Sequence, residues 1–244
     1  MIREANQSDV DRIPPASEAA VKLLAMWQCY HPYSIGRFWA DEYGSLLGLL
    51  DGAAVFFTQG HNAEEWCGFF TMNTDIRVIR TDGQTAERCA PHTPFALQTG
   101  VVMSPSRYIE QPDTKEEPPS LQAYYTLLSD VFGQAVPPFD VWYVDVSHRL
   151  RHGFSRLCGV TDGNIACAGA MTTAETANAA VIGAVATHPD YRGKGYASRI
   201  VLSLASQLQQ EGKTVFLSPK NEYAKELYHK IGFEPVATWG NLNR

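Results

Sequence analysis

The chain has 244 residues, of which 45% are hydrophobic and 19% charged, with a formal net charge of −6. A chain this long and apolar can bury a large core, which excludes intrinsic disorder and suits one large domain or two of ordinary size. Acidic residues outnumber basic ones, 26 to 20, which argues against a nucleic-acid partner, since neutralising phosphates needs surplus Lys and Arg.

The first residues, MIREANQSDVDRI, are charged and lack an apolar run, so they do not read as a signal peptide. No later stretch is apolar enough for a membrane span, and a cytoplasmic location is expected. A short strand is expected near residues 2–5, a helix over 17–29, and a hairpin from 45–50 through Asp51-Gly52 into 53–58. The Asp-Gly pair supplies the positive φ of a tight turn. Further strands are expected over 66–72, over 76–80 (or a helix adjoining it) and over 95–102. Residues 110–120, EQPDTKEEPPS, carry three prolines and four acids, a composition that suits neither strand nor helix. They divide the chain into an N-terminal α/β domain, 1–112, a linker, 113–119, and a second domain, 120–244. The acidity belongs to the first half: residues 1–119 carry a net −7 and residues 120–244 a net +1.

In the second half, Ser120 is expected to cap a helix to about residue 132, followed by an extended stretch near 141–146. A hairpin over 155–171 turns at Asp162-Gly163, and residues 179–187 read as a buried central strand. Helices over 196–210 and 221–230 flank a short strand at 215–217, and a last strand covers 233–238. The five cysteines are widely spaced and form no C-x-x-C pair, so they read as small buried hydrophobes. The histidines are scattered, and no metal site is expected. One echo joins the halves. Leu46 to Gly52 and Leu157 to Gly163 share L-x-G-x-x-D-G, 111 residues apart, which leaves duplication and chance equally open.

The chemistry concentrates in Val185 to Ser198, VATHPDYRGKGYAS. A strand ends at Thr187, and a glycine-rich loop then leads into an amphipathic helix. The unpaired N–H groups of that helix's first turn and its dipole make an anion site, suited to a phosphate or pyrophosphate. The loop matches neither G-x-x-x-x-G-K-[ST] nor G-x-G-x-x-G.

R-x-x-G-x-A, formed by Arg192, Gly195 and Ala197, resembles the acetyl-CoA signature of the GCN5-related N-acetyltransferase (GNAT) superfamily. Asn221 to Phe233 is similar to that superfamily's second motif, N-x-x-A-x-x-x-Y-x-x-x-G-F. The resemblance covers about residues 120–240. It implies the acetyltransferase fold, an α/β structure with a mixed, mostly antiparallel central sheet flanked by helices. If the N-terminal domain is a second copy of that fold, it is a degenerate one without the cofactor loop, walling off the acceptor cleft or supporting an oligomer such as a homodimer. The resemblance further implies acetyl-CoA as co-substrate and a primary amine of a small molecule or peptide as acceptor. Val185, Ala186 and Thr187 would meet the acetyl and pantetheine groups. Arg192, Gly193, Lys194, Gly195, Tyr196, Ala197 and Ser198 would hold the pyrophosphate, and Asn221 would bond nearby or simply cap its helix. Tyr228 would protonate the departing thiolate, and a strand-end N–H would stabilise the oxyanion formed by direct attack.

A general base is missing from two family positions. Phe216 stands five residues before Asn221, and residues 179–187 hold no acid. Glu175, Asp145, His148 and His152 remain as candidates, each also readable as an ordinary surface residue. The missing base keeps open a second reading, a non-catalytic acyl-CoA-binding or sensory protein.

Overall fold

Alternating and continuous apolar runs build the strands of this protein, and amphipathic segments between them build the helices. The computed structural model describes residues 1–60, 62–110 and 117–244. By their contacts these residues divide into two compact units, Met1–Met103 with Pro235–Arg244, and Ser104–Glu234. Residues 113–116 of the expected linker lie outside the described residues.

The first unit runs β1 (Arg3–Glu4), α1 (Gln7–Val10), α2 (Glu18–Tyr30), β2 (Arg37–Ala40), β3 (Leu46–Leu50), β4 (Ala53–Phe57), α3 (Ala63–Met72), β5 (Val78–Asp82), α4 (Gly83–Cys89) and β6 (Ala96–Pro105). The two residues between β3 and β4, Asp51 and Gly52, both have positive φ, as the hairpin requires. β1 to β4 pair antiparallel in sequence order, and β4 then pairs parallel with β5 across the crossover helix α3. Along β3, Leu46 packs into the cluster containing Leu23 and Trp27 of α2. Its neighbour Leu47 packs on the other face, with Trp66 and Phe70 of α3, as the two-residue period of a strand dictates.

The second unit runs α5 (Leu121–Phe132), α6 (Phe139–Arg151), β7 (Leu157–Asp162), β8 (Ile165–Glu175), β9 (Ala179–Thr187), α7 (Tyr196–Gln210), β10 (Thr214–Leu217) and α8 (Glu222–Lys230). β7, β8 and β9 pair antiparallel, and β9 pairs parallel with β10 across α7. One face of this sheet carries α5 and α6 through Tyr124, Leu128, Trp142 and Val146. Helix α7 buries Ile200, Val201, Leu204 and Leu208 completely or nearly so, each contributing roughly 1.5–3 kcal/mol of apolar burial. The chain ends in β11 (Phe233–Asn243), whose later part pairs antiparallel with β5, from Trp239↔Asp82 to Asn243↔Val78. That pairing is why Pro235–Arg244 belongs with the first unit.

Mixed, mostly antiparallel sheets flanked by helices are therefore the architecture, as expected. Two expected elements take the other form, and α1, β2 and α4 have no expected counterpart. Residues 66–72 lie in helix α3 instead of a strand, because Trp66, Cys67 and Phe70 fall on one helical face and are buried together. Residues 141–146 lie in α6, where Trp142 and Val146, four apart, face the core. Their aromatic and β-branched content favours strands, but tertiary burial overrides that preference.

The two units repeat an order of elements. β2-β3-β4-α3-β5-α4 and β7-β8-β9-α7-β10-α8 both give three antiparallel strands, a crossover helix, a parallel partner and a further helix. In this alignment the β7–β8 hairpin corresponds to β2–β3, whereas the L-x-G-x-x-D-G echo matches it to β3–β4. The echo joins non-equivalent hairpins and is coincidence. The repeat lies in the topology.

Candidate functional site

The geometry of the site begins with a defect in β9. Its pairing with β10 runs from Ala179↔Thr214 to Ile182↔Leu217, where β10 ends, and β9 continues to Thr187. Against β8, Gly169 faces Ala186 while Met171 faces Gly183, so β9 carries an extra residue here. Ala184 takes up that residue with φ of 51°, a left-handed conformation that costs a non-glycine residue about 1–2 kcal/mol. Fully buried Tyr124 holds the bulge in place, its hydroxyl donating to the Ala184 carbonyl at 2.6 Å. Burial also pushes the Tyr124 pKa up, which keeps that proton on the phenol. Strand β9 therefore leaves its neighbour and opens a cleft of about 950 Å³.

The loop beyond β9 is pinned at both ends. The His188 N–H donates to the Cys167 carbonyl at 2.9 Å, and its Nδ1 accepts from the Asp190 N–H at 3.3 Å, a structural role. The Tyr191 hydroxyl donates to Asp162 Oδ2 at 2.9 Å, a bond that together with desolvation pushes its pKa up to about 12. Gly193 and Gly195 both have φ of 76°, and a Cβ built on either would meet no atom within 4 Å. The backbone here is bare and open. Gly195 caps α7 without a side-chain acceptor, which leaves the first N–H groups of a 15-residue helix for a ligand.

On the other wall, Asn221 accepts from the Ala224 N–H at 2.9 Å and caps α8. Tyr228 lies two turns along that helix and is 6% exposed. Its hydroxyl has no hydrogen-bond partner among the described residues, and burial pushes its pKa up to about 12. The cleft brings together Val185, Ala186 and Thr187 of β9, Arg192, Gly193 and Gly195 of the loop, Tyr196, Ala197 and Ser198 of α7, and Asn221 and Tyr228 of α8. Lys194 is not among its lining residues. Its ammonium sits 4.7 Å from the Tyr191 ring centre, and the Arg192 Nε donates to the Thr187 carbonyl at 3.3 Å.

Several lining residues escaped the sequence reading. Val131 and Phe132 come from the end of α5, Leu217 from β10, Lys220 from the following loop and Leu227 from α8. The Lys220 ammonium lies 5.0 Å over the Phe132 ring. No local signal pairs a lysine with an aromatic 88 positions earlier; only the fold joins them.

No carboxylate or histidine lines the cleft among the described residues. Glu175 is 4% exposed and held by Arg156 at 2.5 Å and Lys213 at 2.6 Å, and Arg156 also reaches Glu211. Burial alone would raise the Glu175 pKa, but the hydrogen bonds from Arg156 and Lys213 outweigh it and hold it low. Glu175 also pairs with Ala180, at the start of β9, seven residues and about 23 Å of strand from Thr187. Asp145 pairs with Arg149 at 2.8 Å. The His148 carbonyl lies 2.8 Å from His152 Nδ1, with the two rings 4.3 Å apart. Glu175 is structural, and Asp145, His148 and His152 sit outside the lining. All five cysteines are buried thiols.

Residues 159–239 match the model of the FR47-like protein family, which is related to the GNAT enzymes. The chain has the GNAT fold. A GCN5-related N-acetyltransferase from Kribbella flavida aligns over 92% of this chain and 93% of its own, with TM-score 0.65 and 14% identity. One from Sphaerobacter thermophilus aligns over 100% of this chain and 95% of its own, at TM-score 0.63 and 16% identity. A tandem GNAT protein from the clavulanic acid biosynthesis pathway aligns over 100% of this chain and 98% of its own, at TM-score 0.62 and 12% identity. No curated protein matches the sequence. Among the described residues no helix is long and apolar enough to cross a membrane.

Proposed function

We propose that the protein is an acetyl-CoA-dependent N-acetyltransferase acting on a primary amine of a small molecule or peptide. The observation that carries this reading is the cleft itself. It has a splayed strand edge at one end, an uncapped helix N-terminus at the other, and only Arg192 and Lys220 as charged lining residues among those described. A polyanion with a long, mostly uncharged arm suits that lining. Gly193, Gly195 and the first turn of α7 would hold the pyrophosphate, with Arg192 beside them, and Leu217 and Leu227 would pack along the arm.

When bound, acetyl-CoA supplies the activated acyl group. Beyond Ile182 the β9 edge that faced β10 is unpaired, and its N–H groups would meet negative charge on the acyl oxygen. Tyr228 keeps its proton across the neutral range and presents a hydroxyl with no described partner, so it can donate to the departing sulfur. Since no described lining group can act as base, the attacking amine loses its proton to water.

The alternative, a non-catalytic acyl-CoA-binding protein, is favoured by that same lack of a base. A thiol-release screen of amines, amino acids, polyamines and peptides with acetyl-CoA separates the two. An enzyme liberates free CoA with some acceptor, whereas a sensor binds acetyl-CoA and liberates none. Loss of acetyl-CoA binding at millimolar concentration in calorimetry would overturn both.

A further inference from the structure

The first unit holds its own cavity, about 660 Å³, bordered by the end of β4, the residues after it and helix α4. Its place in the topology is that of the cleft in the second unit. β4, like β9, precedes a crossover helix and pairs parallel with the strand that follows it. α3 starts from Asn62 at φ of 57° and α7 from Gly195 at φ of 76°, both left-handed and both without a side-chain cap bond. Asp82 caps α4 by accepting from the Thr85 N–H at 2.9 Å, as Asn221 caps α8 by accepting from the Ala224 N–H.

Counting from those caps aligns the two walls residue by residue. Asn221, Tyr223, Ala224 and Leu227 of the cleft correspond to Asp82, Gln84, Thr85 and Arg88 of the cavity. Tyr228 corresponds to Cys89, which is 1% exposed and packed in the core. The apolar wall for a pantetheine arm has become polar, the phenol is gone, and two carboxylates, Asp82 and Glu87, line the space. Such a wall repels a pyrophosphate and gives an aliphatic arm little to pack on.

The charges in the cavity do not neutralise one another. Among the described residues, Arg88 makes one side-chain bond, to the Thr85 hydroxyl at 3.2 Å. Asp82 accepts from Thr85 and weakly from the Thr81 hydroxyl, and neither it nor Glu87 forms an ion pair there. Charges of both signs without an ion pair among the described residues, with Glu87 and Arg88 exposed on an open pocket, suit a ligand that carries both signs. We propose that this cavity binds a small zwitterion of the free α-amino-acid class, its ammonium facing Asp82 and Glu87 and its carboxylate facing Arg88, and that it does not bind CoA.

The test uses the full chain, with the free L-amino acids as a thermal-shift panel and acetyl-CoA titrated separately by calorimetry. At least one amino acid is expected to raise Tm by about 2 °C or more at saturation. Asp82→Asn and Arg88→Gln are each expected to weaken its Kd at least about tenfold. Asparagine still caps α4 and Arg88 gives up one hydrogen bond, so both variants should fold, which their ligand-free melting curves check. An amino acid bound instead as acceptor in the second unit would keep its Kd in both variants, and that result would overturn the proposal. So would a panel without a single shift, or a second equivalent of acetyl-CoA that disappears in Arg88→Gln. Tyr228→Phe should leave the amino-acid shift unchanged, so failure of the acetyltransferase reading and failure of this one remain distinguishable.

Discussion

Replacing Tyr228 by phenylalanine isolates the contribution of one hydroxyl. The ring is 6% exposed and sits 6.3 Å from Phe233, and phenylalanine fills nearly the same volume. Because the hydroxyl has no partner among the described residues, stability should change by no more than about 0.5 kcal/mol. The effect on rate should be much larger, since a positioned general acid contributes about 10²–10⁴-fold. The structure points to the lower end of that range. Burial pushes the phenol up to about 12, whereas an ordinary thiol titrates near 8.5, so complete proton transfer to a free thiolate runs uphill by about 5 kcal/mol. The hydroxyl then acts chiefly by hydrogen-bonding to charge as it builds on sulfur, and kcat should fall about 100-fold, or about 3 kcal/mol in the barrier. Thiol release measures kcat, calorimetry measures the acetyl-CoA Kd, and the Kd should hold. With the phenol raised, the wild type should show no alkaline limb from this group below about pH 11. An unchanged kcat, or a weakened acetyl-CoA affinity and a lowered Tm accompanying the loss of kcat, would refute the assignment.

Gly195→Ala carries a backbone cost of about 1–2 kcal/mol at its positive φ, with no clash, and should lower Tm by a few degrees. Its methyl enters the open space facing the ligand, so the acetyl-CoA Kd should weaken at least about tenfold in calorimetry, and an unchanged Kd would remove the loop from the binding site. Ala184→Val puts a β-branched side chain at φ of 51° and should destabilise by more than about 2 kcal/mol in denaturant melts, whereas Ala184→Gly should be nearly neutral. Glu175→Gln leaves Arg156 and Lys213 without their buried partner and should cost about 3 kcal/mol. Glu175 and Glu211 both titrate below the ordinary value of 4.5, Glu211 at about 2. Their stabilisation is therefore complete above about pH 4.5 and lost as pH falls toward 2; acid melts of Glu175→Gln should lose the Glu175 part of this limb and keep the part that Glu211 contributes through Arg156 and Lys213.

The motifs that were legible are those whose chemistry is local. Arg192 to Ser198 holds the turn, the bare backbone and the helix start in one continuous run, and Asn221 to Tyr228 is one capped helix with a phenol two turns along. Residues 66–72 and 141–146 were misread because aromatic and β-branched side chains suit strands and buried helix faces alike, and only their neighbours decide between the two. The repeated topology was hidden for a related reason. A strand order is kept by burial and pairing, which many sequences satisfy, while the seven-residue echo proved to link hairpins at different places in the order.

The sequence by itself determined the α/β class, the glycine-rich loop leading into a helix and the acidic balance of the first half, since each follows from composition or from a run of adjacent residues. Tertiary structure alone decided the rest. It placed Ala184 in a bulge held by Tyr124, 60 residues away, and set Lys220 over Phe132. It locked Glu175 into an ion cluster far along β9 and returned the last ten residues to the first unit. The net charge of −6 also acquires a local meaning, because one of the acids behind it, Asp82, lines a cavity at the position where the second unit presents Asn221. Those relations cross long stretches of chain, and the free energy that fixes them comes from burial and pairing, which no local window contains.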